Sequence, residues 1–519
     1  MQNRRDQVQA HMFVMGRLTS GLLRTDLDAP ESPVGRTNRG LAIGVIVSLL
    51  IAAGAFIWGL ISPSTSNSWR AEGTLIVDQD TGSRYFFDNG ELRPVLNYAS
   101  AKLLAGASRS GLTSKAVGTE SLRGTPRGIA VGITGAPDVL PDSGALSDSR
   151  PWLVCSASAD GAGTEATVLS VASDAAQRPL PRGSALLVAD PSGTRHLVWQ
   201  GTRLRIDSKS SALEGLGYGS APPRRVSAAF IDALPAGPDL APVALTGLGE
   251  RGPSFGSLTT RIGQVFRTSV PGAERGQYYL LREEGLVPLT NTQAALQLSA
   301  PETARRAYEG RPASARELEA GTLKGHLAPG GDGPAADAAE GMPESPPTLA
   351  EIEEDQGVCS SVTPGSASGP GVQVGLALVG QDALGPAAKR SATGVTDACL
   401  AVDAVVVEPG GGALVRAGTA AGGDAGGSLY LVTDTGVKYR LPTDEDVSAL
   451  GYSGAQARTV PSLLLSMLPT GPELGSAAAA VTPDSREVPV ESACGGRGST
   501  ADGEKASVSR GKSGQRDAW

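Results

Sequence analysis

The side chains with a potential for chemistry are few in this 519-residue chain, and they lie far apart. Three are histidines, His11, His196 and His326, and none has a plausible Cys or Ser partner nearby in sequence for a nucleophile–base pair. His196 falls in a repeated hairpin, at the place taken by Tyr85 and Tyr439 in other copies, so packing is its expected role. Four are cysteines, Cys155, Cys359, Cys399 and Cys494, without the CxxC or CxxH spacing of a zinc site. On an oxidising side of a membrane such widely spaced cysteines read as disulfides; buried thiols are the alternative. Gly511-Lys-Ser513 ends like a phosphate loop, but the glycine required five positions before Gly511 is Ala506, and neither a strand nor a helix flanks it. No GxSxG, HExxH or paired-carboxylate arrangement stands out. No residue is therefore assigned a catalytic, cofactor-binding or metal-ligating role, and a structural or binding protein is expected rather than an enzyme.

What must position these residues begins with a membrane element. The run Leu41–Ile61 carries no charge. At ~1.5 Å per residue it spans ~30 Å, the thickness of a hydrocarbon core. Trp58 suits the interface at its far end, and Pro63 stops the helix. A cleaved signal peptide fits less well, because the run is long, follows about forty residues and precedes no small-x-small cleavage site. Arg4, Arg5, Arg17, Arg24, Arg36 and Arg39 precede the run, whereas the nearest base beyond it is Arg70. The positive-inside rule then places the N-terminus in the cytoplasm and the bulk of the chain outside. Val8, Met12, Met15, Leu18 and Leu22 fall near one helical face. That helix either rests on lipid or docks a cytoplasmic partner, with Met12, Met15 and Leu18 as the docking residues.

Beyond the membrane run, composition favours short strands and turns. The chain has 69 Gly, 36 Pro and only 4% aromatics, which disfavours a helical bundle. A net charge of −8 argues against nucleic acid as a partner. A strand–turn–strand unit recurs at Gly73–Val95, Ala185–Val198, Gln277–Leu289 and Ser428–Leu441. Its turns, such as Asp-Thr-Gly and Asp-Asn-Gly, supply the positive φ that tight hairpins need. Two copies extend further without a gap. Leu216-Gly-Tyr-Gly-Ser-Ala matches Leu450-Gly-Tyr-Ser-Gly-Ala, and Leu234-Pro-Ala-Gly-Pro-Asp-Leu240 matches Leu468-Pro-Thr-Gly-Pro-Glu-Leu474. Gly217 and Gly451 are expected to share a turn with positive φ, and Tyr218 and Tyr452 to occupy equivalent buried places about an approximate two-fold axis. A short helix such as Val460–Leu468 should follow the turn. Arg127–Gly135, Pro151–Cys155, Gly371–Val379 and Ala401–Glu408 read as buried strands of a central sheet built from distant pieces of chain.

Together these residues resemble the EccB family, a core membrane component of actinobacterial type VII (ESX) secretion systems. The resemblance rests on Gln7-Val-Gln-Ala-His-Met-Phe13 followed by Arg17-Leu18, on the helix that comes next, on the hairpins and on the Leu-Gly-Tyr…Leu-Pro-x-Gly-Pro-x-Leu closing module. It extends to about residue 480. It implies a single N-terminal transmembrane helix and an elongated, β-rich (α+β) extracytoplasmic region of four repeat domains around a central β-sheet domain. The corresponding plan is cytoplasmic helix and linker 1–40, membrane helix 41–61, and repeats 70–118, 179–242, 275–347 and 425–475. Central segments are 119–178, 243–274 and 348–424, with a mobile loop over Ala313–Pro347 and a disordered tail from 476 to 519.

The resemblance also implies a disulfide in the central domain. Cys155 and Cys359 flank central strands and lie outside the repeats, so they are assigned to it; pairing of Cys359 with Cys399 is the alternative. The first choice closes a loop of roughly 200 residues, for which the chain-entropy model gives at most ~5 kcal/mol. Cys399 and Cys494 pair only if the tail folds back. The implied partners are the other core components, EccC, EccD and EccE, the mycosin protease, a second copy of the chain and membrane lipid. Some members carry an ATPase label, so ATP is the one cofactor the resemblance suggests. The leading reading is a structural subunit of the secretion complex at the plasma membrane. The alternatives are an extracytoplasmic ATP hydrolase and a membrane-tethered wall-binding module.

Overall fold

The computed structural model describes residues 4–24, 33–61, 67–107, 113–147, 149–158, 165–268, 276–323, 325–329, 340–366, 371–389, 393–418 and 424–482. These form two compact units, residues 1–91 with 114–126, and residues 92–113 with 127 onward.

The smaller unit opens with two helices, α1 (Arg4–Arg24) and α2 (Pro33–Ile61). Proline suits the start of α2, where its missing N–H would have no partner anyway. Thr37–Ile57 is long and apolar enough to cross a membrane, with a mean hydropathy of 2.5, and its side chains are uncovered. The unit continues with strands Thr74–Asp78, Arg84–Asp88 and Thr113–Val117. The first two pair antiparallel, Ile76 opposite Tyr85. Asp78 closes their turn by accepting from the Thr81 hydroxyl (2.7 Å) and the Asp80 N–H (3.1 Å). In the next turn Asn89 and Gly90 both take positive φ, 51° and 77°, as a two-residue hairpin demands. Buried Trp69 seats its ring edge-on to Phe87, 5.6 Å between centroids.

Three sheets of the larger unit share one topology. The second repeat uses strands Ser184–Ala189, Arg195–Trp199, Thr202–Arg205 and Arg224–Arg225. The third uses Val265–Thr268, Gln277–Arg282, Gly285–Leu289 and Arg316–Glu317. The fourth uses Gly412–Gly418, Asp424–Thr433, Lys438–Leu441 and Arg458–Pro461. In each the spatial order is third, second, first, fourth, and the fourth strand runs parallel to the first. A parallel neighbour needs a crossover connection rather than a tight turn. Helices Ala212–Gly215, Asn291–Ser299 with Pro301–Ala307, and Asp444–Ala449 lie in these crossovers.

A six-stranded sheet is assembled from distant segments in the order Ala404–Val406, Glu165–Ser170, Trp152–Ser158, Gln356–Thr363, Gln373–Gly380 and Gln177–Pro179. Side chains alternate between its faces, as strand geometry requires. Trp152, Val154 and Val362 join Val415, Val432, Val460 and Leu464 of the fourth repeat in one core. Val358, two pleats from Val362, packs instead with Leu186, Val188, Val198 and Phe230 of the second repeat. One face of the central sheet thus supports repeats two and four. Leu153, Cys155, Cys359, Val379 and Leu384 form a cluster on the other side.

Several sequence expectations change here. Arg127–Gly135 is not a central strand; Arg127 and Val131 make single parallel bridges to Leu92 and Val95. Val265–Thr268 and Gly412–Gly418, expected in central segments, are the first strands of the third and fourth repeat sheets. The stretch read as a mobile loop contains strand Arg316–Glu317 and helix Ala320–Leu323, while residues 330–339 lie outside the described residues. The helix expected at Val460–Leu468 is Ser462–Ser466. The tail begins with helix Ser476–Ala480, whose Ala479 is buried, and residues 483–519, including Cys494 and Gly511–Ser513, lie outside the described residues. The hairpins also slip by one strand: Ala185–Val198 spans strands one and two, whereas Gln277–Leu289 and Ser428–Leu441 span strands two and three. The ungapped match sets His196 against Tyr430, not Tyr439. His196 lies opposite Val188 and Arg205, and Tyr430 opposite Val415 and Arg440.

Candidate functional site

The Leu-Gly-Tyr segments close helices. Leu216 and Leu450 end Ala212–Gly215 and Asp444–Ala449, and both leucines are buried. Gly217 and Gly451 follow with φ of 86° and 89°. Each Tyr N–H reaches back to the helix, Tyr218 to the Leu213 carbonyl (2.9 Å) and Tyr452 to that of Val447 (3.0 Å). Each Gly N–H reaches Glu214 (3.0 Å) or Ser448 (2.9 Å). This is a Schellman cap, and the left-handed residue it requires is why glycine stands there. The identity of the three residues was legible in sequence; the helix before them was not, because four to six residues are too few to show a period.

The same tyrosines tie remote segments together. The Tyr218 hydroxyl donates to the Pro347 carbonyl at 2.6 Å and the Tyr452 hydroxyl to that of Pro141 at 2.8 Å. Both rings are buried, 6% and 7% exposed, and burial pushes the Tyr218 phenol up to about 12 and the Tyr452 phenol higher still. Neither phenol ionises under ordinary conditions, so each remains a donor.

Cys155 and Cys359 face each other across adjacent antiparallel strands and are joined by a disulfide, Cα–Cα 4.0 Å. Antiparallel pairing alone brings opposed Cα atoms to ~4.5–5.5 Å, so the sheet already sets the two side chains beside each other. Both cysteines are fully buried.

The remaining sequence candidates are dispersed. Met12, Met15 and Leu18 stand on α1, 69%, 54% and 57% exposed, an apolar surface uncovered in the isolated chain. His11 is exposed on the same helix. His196 Nε2 lies 3.5 Å from the Asp190 carboxylate, and burial holds its pKa below the usual value, an effect Asp190 opposes. His326 belongs to the third repeat: its carbonyl accepts from the Leu286 N–H (2.7 Å) and its ring meets Phe255 edge-on at 4.8 Å. Contrary to the sequence reading, Gly252-Pro-Ser-Phe-Gly256 does have the GxSxG spacing, but Phe255 bridges back to Leu258 in a tight antiparallel turn. A nucleophile elbow needs a strand-to-helix turn instead. Among the described residues no group of three or more His, Cys, Asp or Glu could hold a metal ion.

One residue escaped the sequence reading altogether. Lys438, 7% exposed, donates from Nζ to the carbonyls of Leu465 (2.5 Å) and Leu468 (2.6 Å) at the end of helix Ser462–Ser466. Burial lowers its pKa to about 8. The available signal was a lysine set between Val437 and Tyr439, at the start of a short strand.

These features define a class: a chain with one candidate membrane helix and a β-rich remainder in which one strand order recurs beside a disulfide-tied sheet. The model for the family described as type VII secretion system ESX-1, transport TM domain B (EccB), matches residues 2–488, and the chain belongs to that family. It is accordingly a membrane component of a type VII secretion system. Among its relatives is the ESX-3 secretion system ATPase EccB3 of Mycolicibacterium smegmatis, 29% identical over 503 residues that cover 92% of this chain and 90% of the relative. The protein of the same name from Mycobacterium tuberculosis is 28% identical and covers 95% and 93%. A solved EccB3 dimer from the ESX-3 core complex is 26% identical with a TM-score of 0.59, over 78% of this chain and 99% of that one. A chain of an intact ESX-5 inner membrane complex shares the fold, with TM-score 0.62 at 24% identity over 94% and 96%.

Proposed function

We propose that this chain is the extracytoplasmic scaffold of its secretion complex, with α1 in the cytoplasm, α2 across the plasma membrane and the β-rich region outside. The observation that carries this reading is the family match, which runs from α1 through the fourth repeat. The arginines before the apolar run support the orientation, and the disulfide suits an oxidising compartment. The proposed partners are the other core components, EccC-, EccD- and EccE-like, with a mycosin protease and membrane lipid. The solved EccB3 dimer supports self-association. The apolar face of α1 is the proposed docking element, and Cys399 with Cys494 the proposed second disulfide. The repeat and central domain assignment remains part of the same proposal, with its boundaries moved to the sheets described above.

Replacing Met12, Met15 and Leu18 with Asp tests the reading. The variant should stay in the membrane, lose its partners on affinity purification and stop secretion. Unchanged co-purification would refute docking through α1. Labelling single cysteines in intact cells should reach residue 70 onward but not residue 20; labelling at residue 20 would reverse the topology.

The ATPase in the names of the EccB3 relatives favours a second reading, ATP hydrolysis outside the membrane. ATP turnover by the purified chain, compared with carboxylate-to-Ala variants, decides it.

A further inference from the structure

The third repeat carries a feature that scaffolding does not use. Arg251, Arg261, Arg311 and Arg316 line one cavity of about 450 Å3 with a single carboxylate, Glu309. The four guanidinium groups therefore outnumber the acid by three. Like charges repel, so mutual attraction does not explain four guanidinium groups around one cavity.

The cavity is held by buried polar groups. Gln264, 7% exposed, accepts at Oε1 from the Arg261 N–H (3.2 Å) and from Arg316 Nη1 (3.0 Å), and donates from Nε2 to the Ala307 carbonyl (2.9 Å). Arg316 Nη1 also donates to the Thr259 carbonyl (2.9 Å), and the guanidinium sits 6.0 Å from the Phe266 ring centroid. Arg261 is fixed by the Gly249 carbonyl (2.9 Å). Glu309 receives Arg261 Nη2 at 2.5 Å and Arg311 Nη2 at 3.1 Å. Its backbone is left-handed, φ 54°, a conformation that costs a non-glycine residue and persists where surroundings impose it. Among the described residues Arg251 has no side-chain partner, and Arg316 keeps Nε and Nη2 unused.

We propose that this cavity binds a phosphate-bearing small anion. Guanidinium forks match phosphate oxygens, and the donors left on Arg251 and Arg316 are of the right kind. A carboxylate would leave most of the excess charge uncompensated, whereas a phosphate ester or pyrophosphate carries two charges or more. The volume falls within the ~300–1,000 Å3 range of small-ligand sites. Glu309 is the resident competitor: it occupies Arg261 and Arg311 until an anion takes its place. The phosphate could belong to a nucleotide or to a glycerol-phosphate headgroup; the recognition chemistry is shared. The inference does not depend on the scaffold reading.

Titration calorimetry of the full chain in detergent, at low salt, with inorganic pyrophosphate, ADP and glycerol 3-phosphate tests it. At least one probe should bind saturably at one site. Arg251→Gln and Arg311→Gln should each weaken it about tenfold, the effect of ~1.4 kcal/mol lost from one charge-assisted contact. Both side chains are exposed, so these variants should fold, and thermal unfolding verifies this. Glu309→Gln should tighten binding several-fold, which a merely structural glutamate would not do. Tightest binding of ADP identifies a nucleotide source and of glycerol 3-phosphate a headgroup source; either order supports the site. Absence of saturable binding by all three probes, binding indifferent to both arginine variants, or weakened binding in Glu309→Gln would overturn the proposal.

Discussion

The second and fourth repeats solve one problem with different residues. In both, a cation on the third strand reaches the end of the helix that follows the fourth. Arg203 Nη1 donates to the Ile231 carbonyl at 3.0 Å, and Lys438 Nζ donates to the equivalent Leu465 carbonyl at 2.5 Å. The backbone around them matches as well: Arg203 N–H meets the Pro235 carbonyl and Lys438 N–H that of Pro469, at 2.9 and 3.0 Å. A cation near helix C-terminal carbonyls is favourable in each case. The surroundings differ. Arg203 is partly exposed and paired with Asp232 at 3.2 Å, whereas Lys438 is buried and its contacts are carbonyl oxygens. Duplicated geometry therefore does not duplicate electrostatics; burial decides which copy responds to pH.

The largest expected effect follows from that contrast. Lys438 has a folded pKa of about 8 against an ordinary 10.5. Between those values the folded chain binds fewer protons than the unfolded one, so stability should rise as pH increases from about 8 to 10.5. The rise is at most ~3.5 kcal/mol, from ~1.4 kcal/mol per pKa unit. Denaturant titration from about pH 8 to about 9.5, below the range in which the buried tyrosines oppose it, should show the slope in the parent chain and lose most of it in Lys438→Met. Arg203→Met should leave the slope in place, because a guanidinium stays charged throughout. A slope that survives Lys438→Met would remove the distinction between the two repeats.

The caps should respond more nearly alike. Gly217→Ala and Gly451→Ala each force a side chain into the left-handed region, at ~1–2 kcal/mol. A Cβ at 217 meets no other atom within 4 Å, while one at 451 comes to 3.0 Å from the mobile end of Lys102. Equal losses of stability would establish the caps as equivalent; a far larger loss at 451 would make Lys102, which donates to the Leu450 carbonyl, part of the fourth cap. Smaller again, Tyr218→Phe and Tyr452→Phe should each cost ~1 kcal/mol by leaving a proline carbonyl without its donor. A loss at one position only would show that the remote tie matters in a single repeat.

Much of this was legible in sequence, for local reasons. An uncharged run announces α2, and nine residues identical at fixed offset in two segments announce a shared module. The order of strands was not legible, because apolar–turn–apolar reads the same whether it spans strands one and two or two and three. Val265–Thr268 and Gly412–Gly418 were misplaced for the same cause: a short apolar strand does not declare which sheet it joins. The acceptors of Tyr218 and Tyr452, Pro347 and Pro141, lie in segments without pattern. The arginine cavity stayed hidden because residues 251 to 316 converge only through the third repeat's fold.

The central claim is that this chain is a scaffold within a larger secretion complex. It is tested most directly by native mass measurement of the affinity-tagged chain extracted from its own membranes in mild detergent. The account predicts an assembly containing at least two copies of the chain together with other core components. Extraction as a lone monomer, free of any other component while secretion in the parent cells is intact, would contradict it.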